Sequence, residues 1–152
     1  MSTTAAVEGT TARLTESQDD VAWSLQAKST LNAADARLAK RFDQGDEVGR
    51  LAALRARAAD HLLKEAWARC IPDGAPLALF AVGGYGRGEL FPQSDIDLLV
   101  LADASAQHAF ETELSRFFAM LWDAGLPVSH AVRSAGQCTE AASDQTVLTA
   151  LI

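Results

Sequence analysis

Apolar residues first recur along the chain at helical spacing. Hydrophobic positions fall three or four residues apart from residue 21 to residue 42 and again from residue 51 to residue 70, which predicts two helices. Gly45 marks the end of the first helix, and Asp46 is placed to cap the second. We therefore expect an antiparallel helical hairpin over residues 21–72.

Residues 1–20 lack this pattern. They are rich in serine and threonine and carry four acidic residues against one arginine, with no apolar period. The first residues of a chain are commonly poorly ordered when nothing ties them down. We expect a mobile tail over this segment.

After residue 75 the pattern changes to that of short strands. Three apolar or alternating runs have strand length: residues 76–82, 96–101 and 127–133. A helical period over residues 105–123, which Ser105 can cap, separates the second run from the third, and a last helix is expected from Gln137 onward. An α+β domain is thus predicted over residues 73–152.

Composition narrows the class of protein. The 152 residues are 49% hydrophobic, enough for one domain with its own core. The 13 basic and 20 acidic residues give a net charge of −7, which argues against nucleic-acid binding through a broad basic face. No apolar run approaches the roughly 20 residues of a membrane helix, and the two distant cysteines form no disulfide framework. We expect a cytoplasmic protein that binds neither nucleic acid nor membrane.

A glycine-rich segment follows the first predicted strand. Four of the six residues from Gly83 to Gly88 are glycine, and glycines let backbone amides approach an anion such as phosphate closely. A P-loop is excluded because Glu89 and Leu90 stand where Lys and Ser or Thr are required. The dinucleotide fingerprint fails as well, because Glu89 occupies the position of its third glycine.

Two aspartates open the second predicted strand. Asp95 and Asp97 are separated by one residue, so their side chains share a face of the strand and converge beside the glycine segment. Two carboxylates this close repel each other and are costly to bury unpaired. Mg²⁺ relieves that cost, since it is commonly held by one or two carboxylates together with substrate phosphates. The two motifs together predict a metal-nucleotide site.

The segment from Gly83 to Leu99 resembles the nucleotidyltransferase superfamily, and within it the bacterial protein-PII uridylyltransferases, also called uridylyl-removing enzymes. The resemblance covers about residues 21–152 and includes four further segments: residues 55–63, 121–126, 130–133 and 144–150. It implies a nucleotidyltransferase-type core, in which a short mixed β-sheet is flanked by helices, with the helical hairpin packed on it.

The chemistry of that family would be Mg²⁺-dependent transfer of UMP from UTP to a tyrosine of the signalling protein PII when glutamine is low, in nitrogen signalling. The resemblance makes Asp95 and Asp97 the catalytic ligands of a two-metal Mg²⁺ site, with Gly83, Gly84 and Ser94 as contacts to the triphosphate. The tyrosine hydroxyl would attack the α-phosphate in line, and pyrophosphate would leave. Glutamine would act through domains outside this chain.

Arg87 has two interpretations. Its guanidinium can pair with the γ-phosphate as a nucleotide-binding residue, because arginine is a good bidentate partner for anions. Alternatively, Arg87 and Glu89 pin the loop through contacts to neighbouring backbone, a structural role that we favour for Glu89.

A third carboxylate is missing from the expected place. Members of the superfamily usually carry one on a later strand, whereas the third predicted strand offers only Ser129 and His130. His130 on an apolar strand face is more often a core residue than part of a site. Three acidic residues near this strand remain as candidates: Asp123, Glu140 and Asp144.

Two alternative functions stay open. The first is a protein adenylyltransferase of the type that modifies glutamine synthetase. Phosphates and Mg²⁺ are common to every nucleotide, so the site does not distinguish ATP from UTP. The second is a nucleotide-binding regulatory module without catalysis, which is consistent with the missing carboxylate.

The last predicted helix ends at Ile152 on apolar residues without a cap. We therefore expect the chain to be an N-terminal fragment of a longer enzyme and to be inactive alone.

Overall fold

The protein is described here by a computed structural model, which covers the backbone of residues 2–142 and the side chains of residues 15–142. The elements follow in the order α1 (Ser2–Asp43), α2 (Val48–Cys70), β1 (Ala78–Ala81), α3 (Gly83–Gly86), β2 (Ile96–Leu101), α4 (Ala104–Ala109), α5 (Glu111–Asp123), β3 (Val128–Arg133) and α6 (Ala135–Ala141). None of the helices in this part of the chain has the length and apolar character to cross a membrane.

Helices α1 and α2 form the predicted hairpin, with a different capping residue. Gly45 ends α1 with a positive φ of 91°. The N-cap of α2 is Glu47, whose carboxylate accepts hydrogen bonds from the N–H groups of Gly49 and Arg50. Asp46, the predicted cap, instead pairs with Arg41 at 2.6 Å. The neighbouring arginine competes for the aspartate, so the cap moves by one residue.

Helix α1 begins at Ser2, earlier than the apolar pattern predicted, while the mobility expected of residues 1–20 stays a prediction. Extending an existing helix by one residue costs little free energy, because each added residue gains one backbone hydrogen bond. Asp20 also ties this region to α5, since its carboxylate accepts hydrogen bonds from Arg116 Nε at 2.6 Å and Nη2 at 2.8 Å.

The three strands form one mixed sheet, as the resemblance implies, and the α+β fold class is confirmed. Strand β2 is central; it pairs antiparallel with β1 and parallel with β3. Residues Ile96, Leu98 and Val100 face the helices and are nearly inaccessible to solvent. They belong to a core cluster with residues of α1, α2 and α5: Trp23, Leu31, Leu62, Leu63, Phe117 and Leu121. By strand alternation, Asp97 and Leu99 lie on the other face.

The helix predicted over residues 105–123 is two helices. The chain leaves helical geometry at Phe110, with φ −112° and ψ 20°. Asp103 rather than Ser105 caps α4, because its carboxylate accepts a hydrogen bond from the N–H of Ala106. The apolar period runs unbroken through this joint, so periodicity could not reveal it.

The last predicted helix begins two residues early. Ser134 caps α6, and Gln137 returns the hydrogen bond in a capping box. The predicted continuation of this helix to Ile152, together with Asp144, lies outside the described residues.

Candidate active site

The glycine segment forms a single helical turn between β1 and β2. Gly83 has a φ of +62°, a conformation that favours glycine. A Cβ atom on Gly83 would lie 2.9 Å from Asp97 Oδ2. The N–H of Val82 also donates to the carbonyl of Asp97 at 3.0 Å. The start of the turn is therefore in direct contact with the second aspartate.

The turn is closed by its own backbone. The N–H of Glu89 donates to the carbonyl of Gly84 at 2.9 Å, and the N–H of Gly88 donates to the carbonyl of Tyr85 at 2.9 Å. A Cβ atom on Gly86 would come within 2.7 Å of the carbonyl oxygen of Ala81. Glycine at this position lets the turn pack against the end of β1.

Asp95 and Asp97 lie where the spacing predicts, at the beginning of β2. Asp95 directly precedes the strand and is exposed, whereas Asp97 is its second residue and partly buried. Burial raises the pKa of Asp97, and the charge of Asp95 raises it further. The cost of holding two carboxylates together is thus present, and a divalent cation would relieve it.

Among the residues with described side chains, no third carboxylate joins this pair in a metal-binding cluster. No cluster of three or more Asp, Glu, His or Cys residues suited to a metal occurs within residues 15–142. In the parallel register of β2 and β3, Asp97 lies opposite Ser129. The neighbouring strand therefore contributes a hydroxyl beside Asp97, while Asp123 is at the end of α5 and Glu140 on α6.

His130 lies away from the aspartates. It pairs with Leu98, whose side chain points to the helical face of the sheet. Its ring stacks on Phe118 at 3.7 Å between centroids and approaches Trp122 at 5.6 Å. The residue as a whole is exposed, so the expected core histidine is instead a surface ring with one covered face. That partial burial lowers the pKa of His130.

Arg87 and Glu89 contact each other at the surface of the loop. Their side chains are 52% and 56% exposed, with Arg87 Nε 3.4 Å from Glu89 Oε2. Ser94 is partly buried beside Asp95, and its N–H donates to the carbonyl of Phe91 at 3.0 Å. Arg87 is thus free to swing toward an anion at the small cost of an exposed ion pair.

Sequence reasoning missed the residues that hold the loop from behind. Tyr85 is 4% exposed, and its hydroxyl donates to Asp60 of α2. Arg55 of α2 is 6% exposed and donates to the carbonyl of Phe91. The only signal for either residue was that residues 55–63 fall within the family resemblance.

The family model described as nucleotidyltransferase DUF294 matches residues 32–140, which include the glycine turn and both aspartates. The chain belongs to this nucleotidyltransferase family. The nucleotidyltransferase class implied by the resemblance is thereby confirmed at the level of the family, while the roles of individual residues stay predictions.

Several curated relatives of this nucleotidyltransferase are named bifunctional uridylyltransferase/uridylyl-removing enzyme. That of Xanthomonas campestris pv. campestris strain B100 is 65% identical over 133 residues, which are 88% of this chain and 15% of the relative. That of Methylococcus capsulatus strain Bath is 49% identical over 127 residues, 82% of this chain and 14% of the relative. The chain thus spans about 15% of the length of these proteins. No solved structure gives a significant match.

Proposed function

We propose that this chain supplies the transferase centre of a cytoplasmic enzyme. The enzyme transfers UMP from UTP to a tyrosine of a PII signalling protein and releases pyrophosphate. The observation that carries the proposal is the contact between Gly83 and the Asp97 carboxylate, with Asp95 close enough to raise the pKa of Asp97. This contact supports the proposal, because a glycine turn suited to an anion and a carboxylate pair suited to a cation then meet at one point of the fold. The names of the relatives supply the choice of UMP.

The residues of the site fit Mg²⁺. Asp95 and Asp97 offer the carboxylate oxygens that this ion prefers, and ionising both is unfavourable without a cation. When bound, the ion would stabilise charge on the attacking and leaving oxygens. The N–H groups of the turn after Val82 and the Ser94 segment would hold the triphosphate, and Arg87 would swing onto its terminal phosphate.

A specific observation favours a second candidate. The described residues hold two carboxylates at the site and no third one nearby, which suits a module that binds Mg²⁺ and nucleotide without turnover. The uridylyl-removing reaction in the relatives' name, and any response to glutamine, we assign to the much larger part of those proteins that this chain does not match.

The test is a chimera in which this chain replaces the matching segment of the Xanthomonas campestris relative. The chimera is incubated with PII, Mg²⁺ and either UTP or ATP labelled at the α-phosphate. We expect label from UTP on PII, loss of labelling with EDTA, and no labelling by the 152-residue chain alone, because the described residues bring only two carboxylates to the site.

Each other outcome selects another function. Transfer from ATP in preference to UTP would indicate an adenylyltransferase. A folded chimera that binds Mg·UTP and transfers nothing would contradict the proposal in favour of the binding module.

A further inference from the structure

We propose that Arg55 and Asp60 of α2 are positioning residues, which fasten the two ends of the nucleotide loop and thereby set the placement of Asp95 and Asp97. The nucleotide loop is defined as residues 83–95. The inference rests on the proposed function, since it assigns the helical hairpin a role in that reaction rather than in folding alone.

The first anchor holds the glycine turn. Tyr85 is the only residue with a side chain beyond hydrogen among the four residues of α3, and it is almost fully buried. Its hydroxyl donates to Asp60 Oδ1 at 2.5 Å. Burial, with the hydrogen bond and charge of Asp60, raises the pKa of Tyr85, so the phenol stays a donor. The turn that contacts Asp97 is therefore fastened to α2.

The second anchor holds the segment before the aspartates. Arg55 Nη1 donates to the carbonyl oxygen of Phe91 at 3.1 Å. The same oxygen accepts the N–H of Ser94 at 3.0 Å. Arg55 thus acts on the carbonyl that shapes the turn leading into Asp95. Its guanidinium is fixed in turn by Asp35 of α1, at 2.9 Å from Nε and 3.4 Å from Nη2.

Both anchors come from one packed helix. Arg55 and Asp60 are five positions apart on α2, and their neighbours Ala56, Ala59 and Leu63 are buried in the core cluster. Burying an arginine with a carboxylate adds little net stability compared with apolar side chains of the same volume. A buried Arg55 that reaches a loop carbonyl therefore fits positioning better than stabilisation.

The chain contains a matched control. Arg116 of α5 makes the same kind of bidentate pair with Asp20 of α1, at 2.6 and 2.8 Å, and belongs to neither anchor of the nucleotide loop. Replacing either arginine by lysine keeps the charge and removes the planar fork. Arg116 is the more exposed of the two, at 32% against 7% for Arg55, and Arg55 alone of the pair also donates to a loop carbonyl.

The experiment combines hydrogen exchange on this chain with kinetics on the chimera described above. In Arg55→Lys we expect the Ser94 amide to exchange about tenfold faster and kcat to fall on the order of tenfold or more, because the metal-binding segment is misplaced. In Tyr85→Phe and Asp60→Asn we expect faster exchange at Gly88 and Glu89 and mainly a higher KM for UTP, because the phosphate-binding turn is loosened.

Arg116→Lys should change neither the loop amides nor the kinetics. The inference is overturned if Arg55→Lys matches Arg116→Lys in both measurements. If the unsubstituted chimera transfers no UMP, the proposed function fails by itself, and exchange of the loop amides in the 152-residue chain still decides whether the two anchors hold the loop.

Discussion

At the scale of single residues, the conformation of Gly83 and the position of the Asp97 carboxylate depend on each other. The positive φ of Gly83 lets the chain turn back at the end of β1, and the missing side chain leaves room for the Asp97 carboxylate. The carboxylate is partly buried, and burial is the larger cause of its raised pKa. A substitution at Gly83 should therefore disturb both conformation and binding.

We expect Gly83→Ala to lower the free energy of unfolding by about 1–2 kcal/mol, the usual cost of a left-handed non-glycine residue, and to abolish Mg·UTP binding measured by calorimetry. Gly74→Ala is the control, because Gly74 also has a positive φ of 78° but open space around it. It should cost similar stability and leave binding intact. Equal binding by the two variants would show that the space at Gly83 has no role.

At the scale of elements, the sequence predicted best what depends on neighbours along the chain. The glycine turn and the Asp95-x-Asp97 pair are local patterns, and the structure places them as expected. The stacking of His130 on Phe118 and the contact of Arg55 with Phe91 join different elements, and the break at Phe110 falls within an unbroken apolar period. Periodicity and spacing carry no information about such contacts, so these features could not be predicted.

Strand β3 carries a testable pH effect. Partial burial against Phe118 lowers the pKa of His130 below its ordinary value near 6.5. At a pH between the two pKa values, the unfolded chain therefore binds a proton at His130 that the folded chain does not bind. The free energy of unfolding then decreases as the pH falls through the pKa of the folded state. We expect His130→Phe, which keeps an aromatic ring against Phe118, to lose less unfolding free energy than the parent between about pH 7.5 and about pH 5.5.

The control for this effect is His61, which is exposed on α2 near Glu65. His61→Gln should retain the parent's loss of stability on acidification, measured by urea unfolding at each pH. A His130→Phe variant with the parent's pH dependence would show that the stacked ring does not titrate as argued.

At the scale of the whole molecule, helices α1, α2 and α5 cover one face of the sheet, and the candidate site occupies one end of the other face. The core cluster joins α1, α2 and α5 to the helical face of β2. Asp97 and Ser129 lie on the opposite face, next to the glycine turn. Arg55 and Asp60 of the helical hairpin hydrogen-bond to the nucleotide loop at that end, which makes the two anchors a polar connection between the packed core and the chemistry.

The most direct measurement is UMP transfer to PII by the chimera with Asp97→Asn. Asparagine keeps the shape of the side chain and removes a partly buried charge, so thermal unfolding should show a fold as stable as the parent's or more so. Transfer should fall at least about a hundredfold, because the cation loses a carboxylate ligand that stabilises the transition state. Undiminished transfer by a folded Asp97→Asn chimera would contradict the assignment of this site as the transferase centre.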